Sequence, residues 1–280
     1  MKPFSANRSC WLAAVLVCGA ALAFLLIQRT EPRYQGRTLG EWVADVPLPP
    51  YEDGKAREAV HAVRQIGTNA LPFLLRQIQT RESLLRSFGV WLKKKQSLLP
   101  LSTRTDYQVR FDACLAIIAL GPTAEPAVPE LTRLLHVPEL AADVGGILRF
   151  FGSKGYLALS TGLTNSNRTV RYFSAVNLVM VEAKLPRNAT NEAVLNYRRE
   201  ANVAIPNLIR ALDDPDPKVL HAVITALGYI RQEPEHVVPA LQKFLTDTEN
   251  RAEWCKSPRY AAKAAIKMFE SEGRERTQSF

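Results

Sequence analysis

Residues Val109–Leu135 read VRFDACLAIIALGPTAEPAVPELTRLL. Val109, Ala113, Ala116, Ile117 and Leu120 recur three or four apart, the spacing that gathers side chains on one helix face. Gly121-Pro122 ends that helix, because glycine accepts a left-handed cap and proline cannot continue the hydrogen-bond ladder. A second helix is expected near Pro129, since a first-turn proline lacks only an amide that would have no intrahelical partner. Leu131, Leu134 and Leu135 then face the first helix. The stretch is a helical hairpin, and most of the chain aligns to it.

EAVHAVRQIGTNALPFLLRQI repeats the pattern, with Ala59, Ala62, Val63 and Ile66 on the apolar face, Gly67 in the place of Gly121, and Pro72 in that of Pro129. Later copies put Gly152, Glu182, Arg231 and Phe269 at the glycine position. Successive intervals are 54, 31, 30, 49 and 38 residues, so the short ones match one hairpin and the long ones carry insertions. The copy around Gly152 lacks the proline and is the least typical. VRYFSAVNLVMV and IPNLIRAL form another copy, and VLHAVITALGYI with VVPALQKFL the clearest after the first. Asp213, Asp214 and Asp216 lie in an inter-repeat turn, where helix capping explains them better than metal binding. The last copy, SPRYAAKAAIKMF, starts with Ser257-Pro258 as cap and first turn.

The VRxxA...LG pattern, GPTAEPAVPELTRLL, VPALQKFL and DDPDPKVLHAVITALG resemble HEAT repeats over about Lys55 to Glu270. The resemblance implies an all-α fold, a right-handed α-solenoid of about six HEAT-like hairpins, generally used for protein–protein contact. Phycobilin lyases and certain DNA glycosylases are HEAT-like enzymes, and neither supplies a motif that maps onto residues here.

The 280-residue chain has 47% hydrophobic residues, enough for a sizeable core, and a net charge of +9. That charge permits acidic protein, anionic lipid or nucleic acid as partner without choosing among them. Between Arg8 and Arg29, SCWLAAVLVCGAALAFLLIQ is 20 uncharged residues, about 30 Å as a helix and enough to span a bilayer. Two readings of residues 1–29 stay open, an uncleaved signal-anchor and a signal peptide cleaved after Ala21-Leu22-Ala23. The anchor is favoured, because Phe24-Leu25-Leu26-Ile27 prolongs the apolar run. A single-pass, membrane-anchored chain with an extracytoplasmic repeat domain is expected, secreted or periplasmic if the segment is cleaved. Residues 30–54 read as a linker and N-terminal cap with a short helix near Gly36–Trp42, and Trp42 is expected to pack on the first repeat. Residues 55–270 are the repeats and residues 271–280 a polar tail.

Four residues after Pro72, Pro129, Pro206 and Pro239 stand Arg76, Arg133, Arg210 and Lys243, and two residues after each proline stand Leu74, Leu131, Leu208 and Leu241. In a solenoid the second helices line the concave side, so the four cations form a ladder and a candidate partner-binding surface. The alternative is a solvated face whose long stems cover apolar helix surface. Lys93, Lys94 and Lys95, beside Trp91 in an insertion, are a candidate membrane-proximal basic cluster. The insertion Lys184–Asn202 reads as a polar loop. Asn167 and Asn188 head glycosylation sequons that matter only in a secreted eukaryotic protein.

His61, His136, His221 and His236 fall in different repeats, and no HExxH, GxSxG, phosphate-loop or dinucleotide motif occurs. Cys10 and Cys18 lie in the apolar run, Cys255 stands alone, and Cys114 reads as a small core residue. No cofactor and no metal are expected. The leading expectation is a non-catalytic, monomeric scaffold that binds a protein partner along its concave surface. Nucleic-acid binding through phosphates along the ladder, or a lyase- or glycosylase-type enzyme, are the alternatives.

Overall fold

The computed structural model describes residues 31–51, 53–80, 104–179, 191–249 and 256–278. The expected membrane segment, the Lys93–Lys95 cluster with Trp91, the Asn188 sequon, and Cys10, Cys18 and Cys255 lie outside them. The described fold is helical apart from one two-stranded hairpin.

That hairpin, β1 (Arg33–Tyr34) and β2 (Arg37–Thr38), was not expected from the sequence. Gln35 and Gly36 both take positive φ, 49° and 80°, as a two-residue hairpin turn requires. Helix α1 (Leu39–Val43) follows, and Thr38 and Glu41 cap its start reciprocally. Trp42 is buried as expected, its indole N–H donating to the Tyr34 carbonyl at 3.0 Å. The Arg37 guanidinium lies 3.9 Å from the centre of the indole. This unit packs on α2 (Gly54–Ile66).

The deciding stretch folds as α4 (Asp106–Leu120), a 3₁₀ segment Gly121–Ala127, and α5 (Val128–Leu135). Thr105 and Gln108 form a capping box at the start of α4. Gly121 stops the helix at φ 59°, ψ −135°. Gly67 and Gly152 adopt nearly the same backbone, at 63°, −140° and 53°, −141°. That region is open to glycine and costly to residues with a Cβ. Three aligned glycines thus share one conformation that a Cβ would strain, and Arg231, at the same aligned position, also has positive φ, at 47°. Burial on α4 exceeds the expected stripe: Cys114, Leu115 and Ala119 are buried beside Ala113, Ala116, Ile117 and Leu120. The reason is that α4 is covered from two sides, by α2 and α3 (Leu71–Ile78) and by α6 (Ala141–Leu148).

The remaining helices are α7 (Gly152–Gly162), α8 (Arg168–Val179), α9 (Asn191–Ala201), α10 (Ile205–Arg210), α11 (Pro217–Ile230), α12 (Pro234–Asp247) and α13 (Lys256–Gln278). Contacts run between neighbours. The first helices α2, α4, α6, α8, α11 and α13 each pack on the next. Of the second helices, α3 meets the turn before α5, α5 packs on α7, α7 on α10, and α10 on α12. Leu74, Leu131, Leu208 and Leu241 are all fully buried, each removal from water contributing about 1.5–3 kcal/mol.

Two expectations are corrected. Part of the Lys184–Asn202 insertion is not a loop: residues 191–201 are α9, which packs on α7 and α11. Its apolar stripe is sparse, Val194, Tyr197 and Ala201, but Tyr197 is buried and donates to the Leu178 carbonyl at 2.5 Å. The last copy does not turn at Phe269, and α13 continues through it to Gln278, into what read as a tail. Phe269 is not glycine and no proline follows it, so nothing interrupts the helix.

Among the described residues one stretch, Asp106–Leu135, has the length and mean hydropathy, 1.3, to cross a membrane. It is bent at Gly121, and its apolar side chains supply the core between neighbouring helices.

Candidate functional site

The exposed side of the second-helix row carries the four cations. Arg76, Arg133, Arg210 and Lys243 are all exposed, each two residues beyond a fully buried leucine. Arg133 donates from Nε and Nη2 to the two carboxylate oxygens of Glu130, at 2.8 and 2.6 Å. Hydrogen bonding from Arg133 holds the Glu130 carboxyl below the usual range and raises the guanidinium in turn. Gln79 at the end of α3 donates to the same carboxylate at 3.2 Å, tying two second helices together. Lys243 pairs with Asp247 one turn on, which raises its ammonium. Arg76 and Arg210 have no ion pair among the described residues.

Three clefts open between second helices. One, about 580 Å³, lies between α10 and α12 and brings Arg210 and Lys243 together with Asp213, Asp214, Asp247, Ile209 and Phe244. A second, about 630 Å³, lies between α3 and α5 and includes Arg133 with Gln79, Thr80 and Val137. The third, about 580 Å³, lies between α5 and α7 and is mostly apolar, lined by Val128, Pro129, Leu157 and Ala158 with Thr132, Thr161 and the Glu125–Lys154 ion pair. Leu157 is 52% exposed there. On α7 the buried Leu159 takes the place of the recurrent leucine, which puts Thr161 where the other helices carry a cation. The ladder is therefore interrupted at α7, where a mostly apolar saddle that also holds the Glu125–Lys154 pair replaces the cation, a feature the missing proline of this copy concealed in the sequence.

The arginines of the VRxxA pattern have a different role. Arg171 donates to both Asp214 oxygens, at 2.6 and 3.3 Å, and to the carbonyls of Asn165 and Ser166. Arg110 pairs with Asp143 at 2.9 Å; Arg64, outside the pattern near the end of α2, also crosses to the next hairpin, donating to the Ala119 carbonyl at 2.8 Å. Arg259 reaches the end of the preceding helix through Thr248 Oγ1 at 2.9 Å. These are staples between successive hairpins, signalled only by the recurring arginine beside the first apolar position. Asp216 caps α11 through the amides of Lys218 and Val219, the turn role expected of it, while Asp214 takes Arg171 and the Asp216 amide.

The four histidines lie apart, each with its own neighbour: Gln65 faces His61 and Glu233 flanks His236 within one turn, while Asn165 faces His136 and Ser257 faces His221 from the following hairpin. Among the described residues no group of three His, Cys, Asp or Glu side chains converges. Cys114 is buried, and desolvation pushes its thiol far above the ordinary range, so it stays protonated and inert.

In comparisons with known proteins, no family profile matches the chain and no curated sequence matches it.

Proposed function

We propose that the chain is a membrane-tethered, HEAT-like α-solenoid whose second-helix row, its concave side, binds another protein without performing chemistry. The observation that carries this reading is the regularity of that row. Four of the second helices, α3, α5, α10 and α12, repeat a buried leucine followed two residues later by an exposed cation. Neighbour-to-neighbour packing and the shared backbone at Gly67, Gly121 and Gly152 support the repeat architecture. The mixed charge of the row favours a protein partner over a polyphosphate. Glu130, Asp213 and Asp247 sit among the cations and would repel a nucleic-acid backbone.

Photocrosslinking from native membranes, with the reactive group at Arg76 or Arg210, tests the proposal. Capture of one defined protein supports it. Capture of nucleic acid, with binding that falls steeply with salt, would replace it with the phosphate-binding alternative.

A further inference from the structure

A cleft of about 500 Å³ opens between α8 and α11 on the first-helix row, with Ser257 of α13 at its edge. Its charge sets it apart from the clefts of the second-helix row. Those three are lined by carboxylates, Asp213 and Asp247 in one, Glu139 and Glu125 in the others. Among the described residues no aspartate or glutamate lines this one, and Lys218 is the one residue there with a fixed charge. We propose that the cleft binds a fatty carboxylate, its head at Lys218 and His221 and its alkyl chain along Val176 and Val179. The site stands whether or not the cationic row binds a protein.

Ion pairs fix how the two helices lie. Arg168 pairs with Asp216 and Arg171 with Asp214, joining the start of α8 to the turn that opens α11, so the helices run side by side in one direction. Counted in turns from those pairs, Tyr172 stands level with His221 and Val176 with Thr225, and Val179 lies one turn further on. The cleft therefore has a polar end and an apolar end.

Charge complementarity selects the head. Lys218 and His221 are three residues apart on α11, which makes them neighbours on one helix face. Both are exposed, and Lys218 has no ion pair among the described residues. Ser257 Oγ lies 2.9 Å from His221 Nδ1 and holds the ring. In the tautomer where the serine donates, Nε2–H is a donor without a partner among the described residues. The carboxylates at the start of α11 are already engaged. Asp216 takes Arg168 and the amides of Lys218 and Val219, and Asp214 takes Arg171. An ammonium beside an imidazole N–H thus offers a carboxylate one charged and one neutral hydrogen bond.

The rest of the lining selects the tail. Val176, Val179 and Ala222 are apolar, and Thr225 spends its hydroxyl on the His221 carbonyl at 2.6 Å. A peptide laid there would leave amides and carbonyls unbonded, whereas a methylene chain has none to satisfy. Lys218 and Thr225 are seven residues apart on α11, about 10 Å at about 1.5 Å per residue. That is the reach of a chain the length of octanoate.

The test uses the full-length chain in neutral-lipid nanodiscs and a diazirine-bearing octanoate, with the photoadducts mapped by mass spectrometry. The expected result is saturable labelling of the α8 and α11 segments around Val176, Val179 and Thr225. Octanoate should compete for it, hexanoate about tenfold more weakly for the two methylenes it lacks, and octanol and octylammonium not at all. Lys218→Glu should weaken labelling at least tenfold, Lys218→Arg should retain it, and Thr225→Phe, which puts a ring into the cleft, should block it. Lys243→Glu, on the other row, should leave it unchanged, and circular dichroism checks that each variant keeps its helices. Equal competition by octanol or octylammonium overturns the proposal, because the head would then not be read. Adducts confined to other segments, or labelling unmoved by both Lys218→Glu and Thr225→Phe, overturn it too. Stronger displacement by an acetylated peptide ending in leucine than by octanoate replaces the fatty carboxylate with a protein terminus.

Discussion

Arg171 and Asp214 are 43 residues apart in sequence and joined by a two-pronged ion pair, Nε to Oδ2 at 2.6 Å and Nη2 to Oδ1 at 3.3 Å. Their side chains are only 13% and 3% exposed. The pair locks the start of α8 to the turn that leads into α11, so it couples two successive hairpins. Breaking a buried pair leaves a charge without its partner. Arg171→Ala or Asp214→Ala should therefore destabilise the fold by about 3–5 kcal/mol. Replacing both, Arg171→Met with Asp214→Leu, should cost much less than the sum. Denaturant melts of the single and double variants measure this, and additive losses would show that the two residues act separately.

The crossing of α6 onto α7 leaves no room for a side chain at Gly155. A Cβ there would stand 1.8 Å from the Leu148 carbonyl oxygen. Backbone cannot step aside as a flexible side chain does, so Gly155→Ala should destabilise by about 1–3 kcal/mol through overpacking. Gly146→Ala is the control, since a Cβ there meets nothing within 4 Å. Thermal melts should separate the two clearly.

At Gly121 the expected cost has another source. No atom crowds a Cβ at that position, but φ is 59° with ψ −135°. Gly121→Ala should cost about 1–3 kcal/mol from backbone strain alone. Gly67→Ala should behave alike, because its dihedrals are nearly the same. Unequal losses at the two sites would argue that their turns are not equivalent.

Desolvation raises the Asp112 carboxyl above its ordinary value, against the pull of Arg104, whose Nη2 lies 2.8 Å away. The folded chain thus holds this proton more tightly than the unfolded chain. The corresponding stability is complete below the unfolded value and is lost as pH rises through the elevated folded value. Asp112→Asn removes that dependence. Relative to the parent, the variant should gain stability as pH is raised from about 3.5 to 7. A relative loss over that range would contradict the assignment.

How far the sequence could be read depended on whether the signal was local. Proline two positions before leucine located the starts of α3, α5 and α10, because capping and first-turn chemistry act within a few residues. The glycine register located the turns at Gly67, Gly121 and Gly152 for the same reason. Helix α9 was missed because three apolar residues among polar ones make a weak stripe, and Tyr197 reaches partners distant in sequence. The partner of Arg171 could not be read at all, since a pairing across 43 residues leaves no periodic trace. For the candidate site, the four cations and their spacing were visible. The apolar saddle was not, because Leu157 and Thr161 fall on the one second helix without the proline that sets the register.

The central claim is that a protein partner lies along the second-helix row. Its most direct measurement is site-specific photocrosslinking of the full-length chain in native membranes. A photoreactive residue at Arg133, Thr161 or Arg210 is compared with one at His61 or Lys263, which are exposed on the first-helix row. The account predicts one protein adduct shared by Arg133, Thr161 and Arg210 and missing from His61 and Lys263. Adducts confined to the first-helix row, or equal on both, would contradict it.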